Sequence, residues 1–270
     1  MHPKAHHGRT TVGFLTANIH IGAARALWHG VVDAAQQRDV NLICFLGGGL
    51  RIREGFEAQR NVIYDLVDAR RLDGLVSWSS AIGGSLASDE VIDFHQRFEH
   101  LPVVSLALPM GDIPTVLVDS YRGMRAVIVH LIEAHGYRRL AFIRGPESHY
   151  YAQERFRAYT DVLQEYGLLF EPHLVTRPVQ WEAGAEAIQI LLDERKLRPQ
   201  VDFEAVVAVS DLLALGALKT LQARGVQIPG DVAVVGFNDP TSHLALDAAW
   251  EMFNLMLQAS RAFLPGWGMD

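Results

Sequence analysis

Cysteine is nearly absent: Cys44 stands alone in 270 residues. A disulfide within the chain is excluded, and a reducing compartment is compatible with the composition. Cys44 sits inside the apolar run 40–46 (VNLICFL), where a small buried strand residue is expected. Long apolar runs are lacking too. No stretch reaches bilayer length, and the leader MHPKAHHGRT carries no signal-peptide core, so a cytoplasmic chain without a membrane partner is expected. Basic residues are in deficit, 24 against 31 acidic, for a formal net charge of -7. That balance argues against a phosphate-neutralising surface. The dense basic pairs, Arg70-Arg71 and Arg138-Arg139, each fall between a helix and a strand, where cations favour a helix C-terminus.

Catalytic signatures are missing as well. Gly47-Gly48-Gly49 follows a strand but lacks the spacing of a phosphate-cradling loop. Gly83-Gly84-Ser85-Leu86-Ala87 resembles a nucleophile elbow but ends in alanine. His130, Glu133 and His135 come close to a zinc motif, yet helical spacing puts His135 off the face shared by the other two. His2, His6 and His7 belong to a leader expected to be disordered. The expectation is no catalytic residue, no metal and no cofactor.

What the sequence does have is a hydrophobic content of 49%, enough for a large core, and regular alternation. The clearest unit is 206–239, VVAVSDLLALGALKTLQARGVQIPGDVAVVGFND. A valine-rich run stops at Ser210-Asp211, which offers side-chain oxygens to a helix N-terminus. Leu212, Leu215, Leu218 and Leu221 recur at helical spacing, Gly225 closes the helix, and a second valine-rich run ends at Phe237-Asn238-Asp239. Elsewhere the patterning predicts strands at 11–16, 40–46, 75–78, 102–108, 115–118, 140–143, 174–176, 205–209 and 232–236. Helices are predicted at 23–38, 54–70, 89–98, 122–134, 152–166 and 181–194, with Val62, Leu66 and Val67 of the second facing inward. Strands alternating with helices over short loops make an α/β fold with doubly wound parallel sheets. Two such series imply two lobes with a ligand cleft between them, at 11–120 and 121–240, a disordered leader at 1–10 and an atypical helical tail at 241–270.

Several stretches carry a resemblance. SDLLALGALKTLQARGVQIPGDVAVVGFND is similar to the signature of the LacI/GalR family's effector-binding domain, as is VDSYRGMRAVIVHLIEAHGYRRLAFIRGPE at 118–147. RLDGLVSW resembles the family's Val-Asp-Gly-Ile-Ile strand, and Arg155 with Tyr159 matches its Arg-x-x-Gly-Phe pattern. The resemblance covers roughly residues 11–239 and implies a periplasmic-binding-protein-like fold of type I that closes on a small ligand. About ten residues precede the first strand, so the family's helix-turn-helix headpiece is expected to be absent. The tail TSHLALDAAWEMFNLMLQASRAFLPGWGMD departs from the family's Pro-Pro-Leu-Thr-Thr ending; 244–263 looks helical.

The candidate ligand residues are polar or aromatic groups at strand ends: Asn18, His20, Trp78, Ser79 with Ser80, Asp119 with Tyr121, Tyr150, Arg155, Trp181, Ser210, Asp211 and Asn238 with Asp239. Such a set suits a polyhydroxylated ligand, because an arginine forks across two oxygens and an indole covers an apolar sugar face. The resemblance makes Arg155 an effector contact; Asn238 stands where the family usually has aspartate. Ser210 and Asp211 also read as a helix cap, and the two tryptophans equally as core. The expected function is a sugar-sensing, non-enzymatic domain of a LacI/GalR-type regulator, a homodimer that reaches DNA only through a module outside this chain. The alternatives are the sensor segment of a larger signalling protein, such as a histidine kinase or cyclase, and a solute-binding protein for transport.

Overall fold

Short valine- and leucine-rich runs bounded by polar residues form parallel strands, because helices cover both faces of the sheet and leave no polar face to expose. The computed structural model describes residues 9–20, 23–50, 52, 54–84 and 86–237. The expectations for the leader histidines, Ser85, Asn238, Asp239 and the tail lie outside these residues. The described residues divide at Val118/Asp119 into two compact units.

In the first unit, β1 (Thr11–Thr16), β2 (Asn41–Leu46), β3 (Gly74–Ser77), β4 (Val103–Leu106) and β5 (Thr115–Val116) lie in the order β2-β1-β3-β4-β5, all parallel. Around them run α1 (Ala23–Gln37), α2 (Gly55–Arg60), α3 (Ser79–Gly83) and α4 (Ser88–Gln96). α1 buries Ala24, Leu27, Val31, Ala34 and Ala35, one stripe at helical spacing. β4 is shorter than its apolar run suggests because Ala107 turns to φ +64. β2 is an edge strand with alternating exposure. Cys44 is therefore half-buried rather than a core residue, and burial pushes its thiol up to about 11.

The second unit holds α5 (Ser120–Glu133), β6 (Leu140–Ile143), α6 (Tyr150–Glu165), α7 (Gly184–Gln189), β7 (Ala205–Ala208), α8 (Asp211–Ala223) and β8 (Ala233–Val235). Its parallel sheet has the order β6-β7-β8. The core gathers Phe142, Tyr159, Ile128, Phe203 and Val206, each at most 1% exposed. Burying a side chain of this size contributes about 1.5–3 kcal/mol. The Tyr159 hydroxyl donates to the Leu140 carbonyl at 2.8 Å, which satisfies the one polar atom this ring brings inside.

Four expectations need correction. The helix expected over 54–70 is α2 followed by a 3-10 segment, Asn61–Leu66. Val62 and Leu66 point outward, each 64% exposed, and Tyr64 is buried in their place. Tighter winding brings Asn61 and Tyr64 onto one side, where both hold the preceding glycine loop. Asn61 accepts from Gly48 N–H at 2.7 Å, and the Tyr64 hydroxyl donates to Gly48 O at 3.0 Å. The buried face of α8 is Leu213, Ala214, Ala217 and Leu221, while Leu212 and Leu215 are exposed. A repeat of three drifts off a 3.6-residue helix. The strand expected at 174–176 is a 3-10 turn, Pro172–Leu174, and a single parallel bridge from Val175 to Phe142. The helix expected over 181–194 begins at Gly184 and ends in a π turn, Ile190–Glu194.

Candidate functional site

Open parallel sheets bind ligands beyond the carboxyl ends of their strands, where the strand order reverses. In the second unit that point lies between β6, whose other neighbour is Val175, and β7. Arg155 spans it. The side chain rises from α6, is 5% exposed, and donates from Nη1 to Val209 O at 2.5 Å. Its Nε and Nη2 donate to Ser120 Oγ at 3.2 and 3.0 Å. The guanidinium lies 3.9 Å from the centre of the Phe237 ring. Burial pulls its pKa down to about 10, with the Tyr151 and Asp211 charges acting the other way.

Ser210 and Asp211 stand at the end of β7. Ser210 Oγ caps α8 by accepting from Leu213 N–H at 3.4 Å, and Asp211 N–H donates to Phe237 O at 3.0 Å. Across β6, Gly145 lets Trp181 approach: a Cβ there would sit 3.1 Å from the indole and 2.9 Å from Val209. The indole meets the His149 ring edge-on, centroids 4.7 Å apart. His149 immediately precedes α6, and no described residue meets its buried Nδ1. Burial, then the Arg155 charge, holds its pKa down at about 4, so the ring is neutral at neutral pH. Tyr150 begins α6, half-buried beside it. The second unit thus brings Tyr150, Arg155, Trp181, Ser210 and Asp211 to one end of its sheet and adds His149, Tyr151 and Phe237. Phe237 lies in the VVGFND run but is not among the ligand candidates; no motif marks His149 or Tyr151, whose short distance to Arg155 along the chain is the available signal.

Asp119 is exposed, and its carboxylate is engaged as the cap of α5, accepting from Arg122 N–H at 2.8 Å. Tyr121 is turned to the helix surface, where its hydroxyl donates to Asp161 at 2.8 Å. Neither is grouped with Arg155 by a contact; Ser120 between them is.

In the first unit the strand order reverses between β1 and β3, and Asn18, His20, Trp78, Ser79 and Ser80 follow those strands. Asn18 Oδ1 accepts from His20 N–H at 2.8 Å, which shapes the loop after β1. Trp78 Nε1 donates to Ser80 Oγ at 3.1 Å. Ser79 is fully buried and belongs to an internal network with Ser77, Ser105 and His95, so it presents no surface to a ligand. His95 Nδ1 faces Val91 O at 2.7 Å, which leaves Nε2 to accept from Ser77 Oγ at 2.8 Å. This contact has the spacing of a nucleophile and base. Ser77 is 0% exposed, however, and the second imidazole nitrogen meets a carbonyl rather than a carboxylate, so no substrate reaches the hydroxyl. Burial lowers the His95 pKa, more than the Val91 hydrogen bond raises it. The glycine loop after β2 is committed to structure as well, with Gly47 N–H on Thr16 O and Gly48 N–H on Asn61.

An apolar groove of about 500 Å³ on the second unit is lined by Ala126, Val127, His130, Leu131, Val235 and Gly236. None of the strand-end candidates lines it. Charge, the rings of Tyr151 and Phe237 and several donors coincide at Arg155, the kind of grouping that small-molecule sites use. No group of three metal-ligating side chains occurs among the described residues, and no helix among them is long and apolar enough to cross a membrane.

Residues 128–248 match the family described as periplasmic binding protein-like domain. The HTH-type transcriptional repressor CytR of Escherichia coli (strain K12) is 29% identical over 182 residues, 67% of this chain and 50% of that protein. The HTH-type transcriptional regulator CelR of Thermobifida fusca is 38% identical over 137 residues, 50% of this chain and 38% of that protein. The chain spans about half the length, or less, of these curated relatives. Among solved structures, a LacI-family transcriptional regulator of Sanguibacter keddieii DSM 10542 superposes with a TM-score of 0.72 at 27% identity, covering 97% of this chain and 93% of that one. A CelR–cellobiose complex gives 0.73 at 25% identity, covering 95% and 80%.

Proposed function

We propose, from the premise that the chain is a LacI/GalR-type effector-binding domain of periplasmic-binding-protein-like fold, that it senses a small polyhydroxylated metabolite, a sugar or a sugar-like compound. The observation that supports this most is the buried Arg155 guanidinium, held by Ser120 and Val209 with the Asp211 charge acting on it, at the sheet end where Trp181 packs on His149 and Gly145. Arg155 supplies a fork to ligand oxygens, Ser210 and Asp211 supply acceptors, and the Trp181 indole supplies an apolar face. Asn18, His20, Trp78 and Ser80 are the corresponding candidates in the first unit. The function is binding, and occupancy biases whichever conformation takes the ligand better. In the proposal the domain works in the cytoplasm and acts on DNA through a separate module, as the regulator names of the similar proteins suggest.

A thermal-shift panel of the purified chain tests this, with cellobiose, monosaccharides, sugar phosphates and nucleosides. A ligand at 100 times its dissociation constant stabilises by about 2.7 kcal/mol. We expect at least one sugar-class compound to raise the melting temperature, and Trp181→Ala to abolish that rise when measured from the variant's own, lower ligand-free melting temperature. A flat panel, or an unchanged shift in the variant, would falsify the reading.

Leu212 and Leu215, 51% and 54% exposed, form an apolar strip on α8. The proposal makes this strip part of a homodimer contact, since burying it would remove two leucines from water. Leu215→Glu is expected to convert a dimer to a monomer in light scattering. An unaltered mass for the variant would rule the strip out.

A further inference from the structure

We infer that His130 and His135 form a binding site for one divalent ion of the zinc, nickel or copper type, independent of the effector site. The two residues are five apart, a spacing that no regular helix brings onto one face. α5 stops at Glu133, however, and the chain curls back through Gly136 at φ +70. Gly136 N–H donates to Ile132 O at 3.1 Å and Tyr137 N–H to Leu131 O at 3.2 Å, a closure that only a left-handed glycine makes easily. The turn swings His135 back over the last helical turn. Its Nε2 lies 3.3 Å from His130 Nε2. The two imidazoles meet because the helix ends between them.

The separation suits a shared metal ion. Two Zn–N bonds of about 2.05 Å meeting at a tetrahedral angle place their nitrogens about 3.3 Å apart. The rings are nearly perpendicular, at 81°, and His135 is stacked on Tyr137 at 18° and 5.5 Å, which limits its rotation. Both imidazoles are exposed, so an ion reaches them from solvent. The helix C-terminus beneath them carries partial negative charge, which favours a cation. Glu133 is turned away, its Oε1 accepting from the Tyr166 hydroxyl at 2.5 Å. With no third ligating side chain among the described residues, the remaining positions are open to water. Paired imidazoles select borderline ions over magnesium or calcium, which want oxygen ligands.

Isothermal titration with ZnCl2, NiCl2 and MgCl2 tests this on the full chain carrying His2→Ala, His6→Ala and His7→Ala, which removes the leader imidazoles. We expect one equivalent of zinc or nickel per chain and no magnesium. His130→Ala and His135→Ala should each weaken zinc binding by about ten-fold or more. His100→Ala, an exposed histidine elsewhere, should leave it unchanged. All three variants should melt as the parent does without metal, because the side chains are on the surface. No saturable zinc binding by the parent overturns the inference. So does binding that survives both His130→Ala and His135→Ala, which would identify adventitious imidazoles.

Discussion

Arg155→Ala is expected to destabilise the second unit by about 3 kcal/mol and to abolish effector binding. The stability loss follows from what the side chain leaves behind. Val209 O loses its partner inside the sheet end, Ser120 Oγ loses two donors, and the Phe237 ring loses the cation over its face. Truncating one partner of a buried, charge-assisted contact costs more than the contact contributes net, because the other partner stays desolvated. At 2–4 °C per kcal/mol, the melting temperature should fall by roughly 10 °C. Arg155→Lys separates the two losses. It keeps a charge but lacks the planar fork, so it should recover part of the stability and little of the binding. Denaturant unfolding of the three proteins, followed by the same sugar panel, gives both readouts. An alanine variant within 1 kcal/mol of the parent, about a third of the expected loss, would mean that the buried contacts are not formed in solution.

Gly184→Ala and Gly216→Ala should each cost about 2 kcal/mol, against the usual gain when alanine replaces glycine in a helix. α7 and α8 touch backbone to backbone here. A Cβ on Gly184 would meet Leu213 O, Gly216 Cα at 2.8 Å and Ala217 N at 2.9 Å. A Cβ on Gly216 would meet Gly184 Cα at 2.9 Å. Main-chain atoms cannot swing aside as the end of a long side chain can, so the helices must separate and loosen the packing around Leu213 and Ala217. The steric cost therefore exceeds the propensity gain of about 1 kcal/mol. The double variant should lose less than the sum, because one substitution already parts the helices. Urea unfolding of the four proteins measures the cycle; stabilisation by either single change would contradict the close approach.

Local chemistry made most of the fold legible. The TVGFLT and LAFI runs could only be strands in an alternating pattern, and β1 and β6 occupy those residues. Ser210 announced a helix start, and its Oγ is the cap of α8. Gly225, at φ +80, closes the same helix. Periodicity failed where winding changed: Tyr64 rather than Val62 is buried because the chain tightens after Arg60, and Leu212 and Leu215 face outward because three is not 3.6.

The candidate site divides along the same line. Arg155, Trp181, Ser210 and Asp211 were visible as polar or aromatic residues that follow apolar strands. Their grouping with His149, Tyr151 and Phe237 was not, since nothing in residue type says which loops a sheet order brings together. Ser79 looked equally suitable and is buried in a network with Ser77, Ser105 and His95 instead. The sequence by itself determined the α/β alternation, the parallel strands and the helix caps, all of which depend on neighbours within a few positions. Only the tertiary structure decided which polar side chains were taken up internally, which were aimed at the strand ends, and that His130 and His135 meet. Those outcomes depend on strand order, and on where a helix stops, which residue spacing alone does not encode.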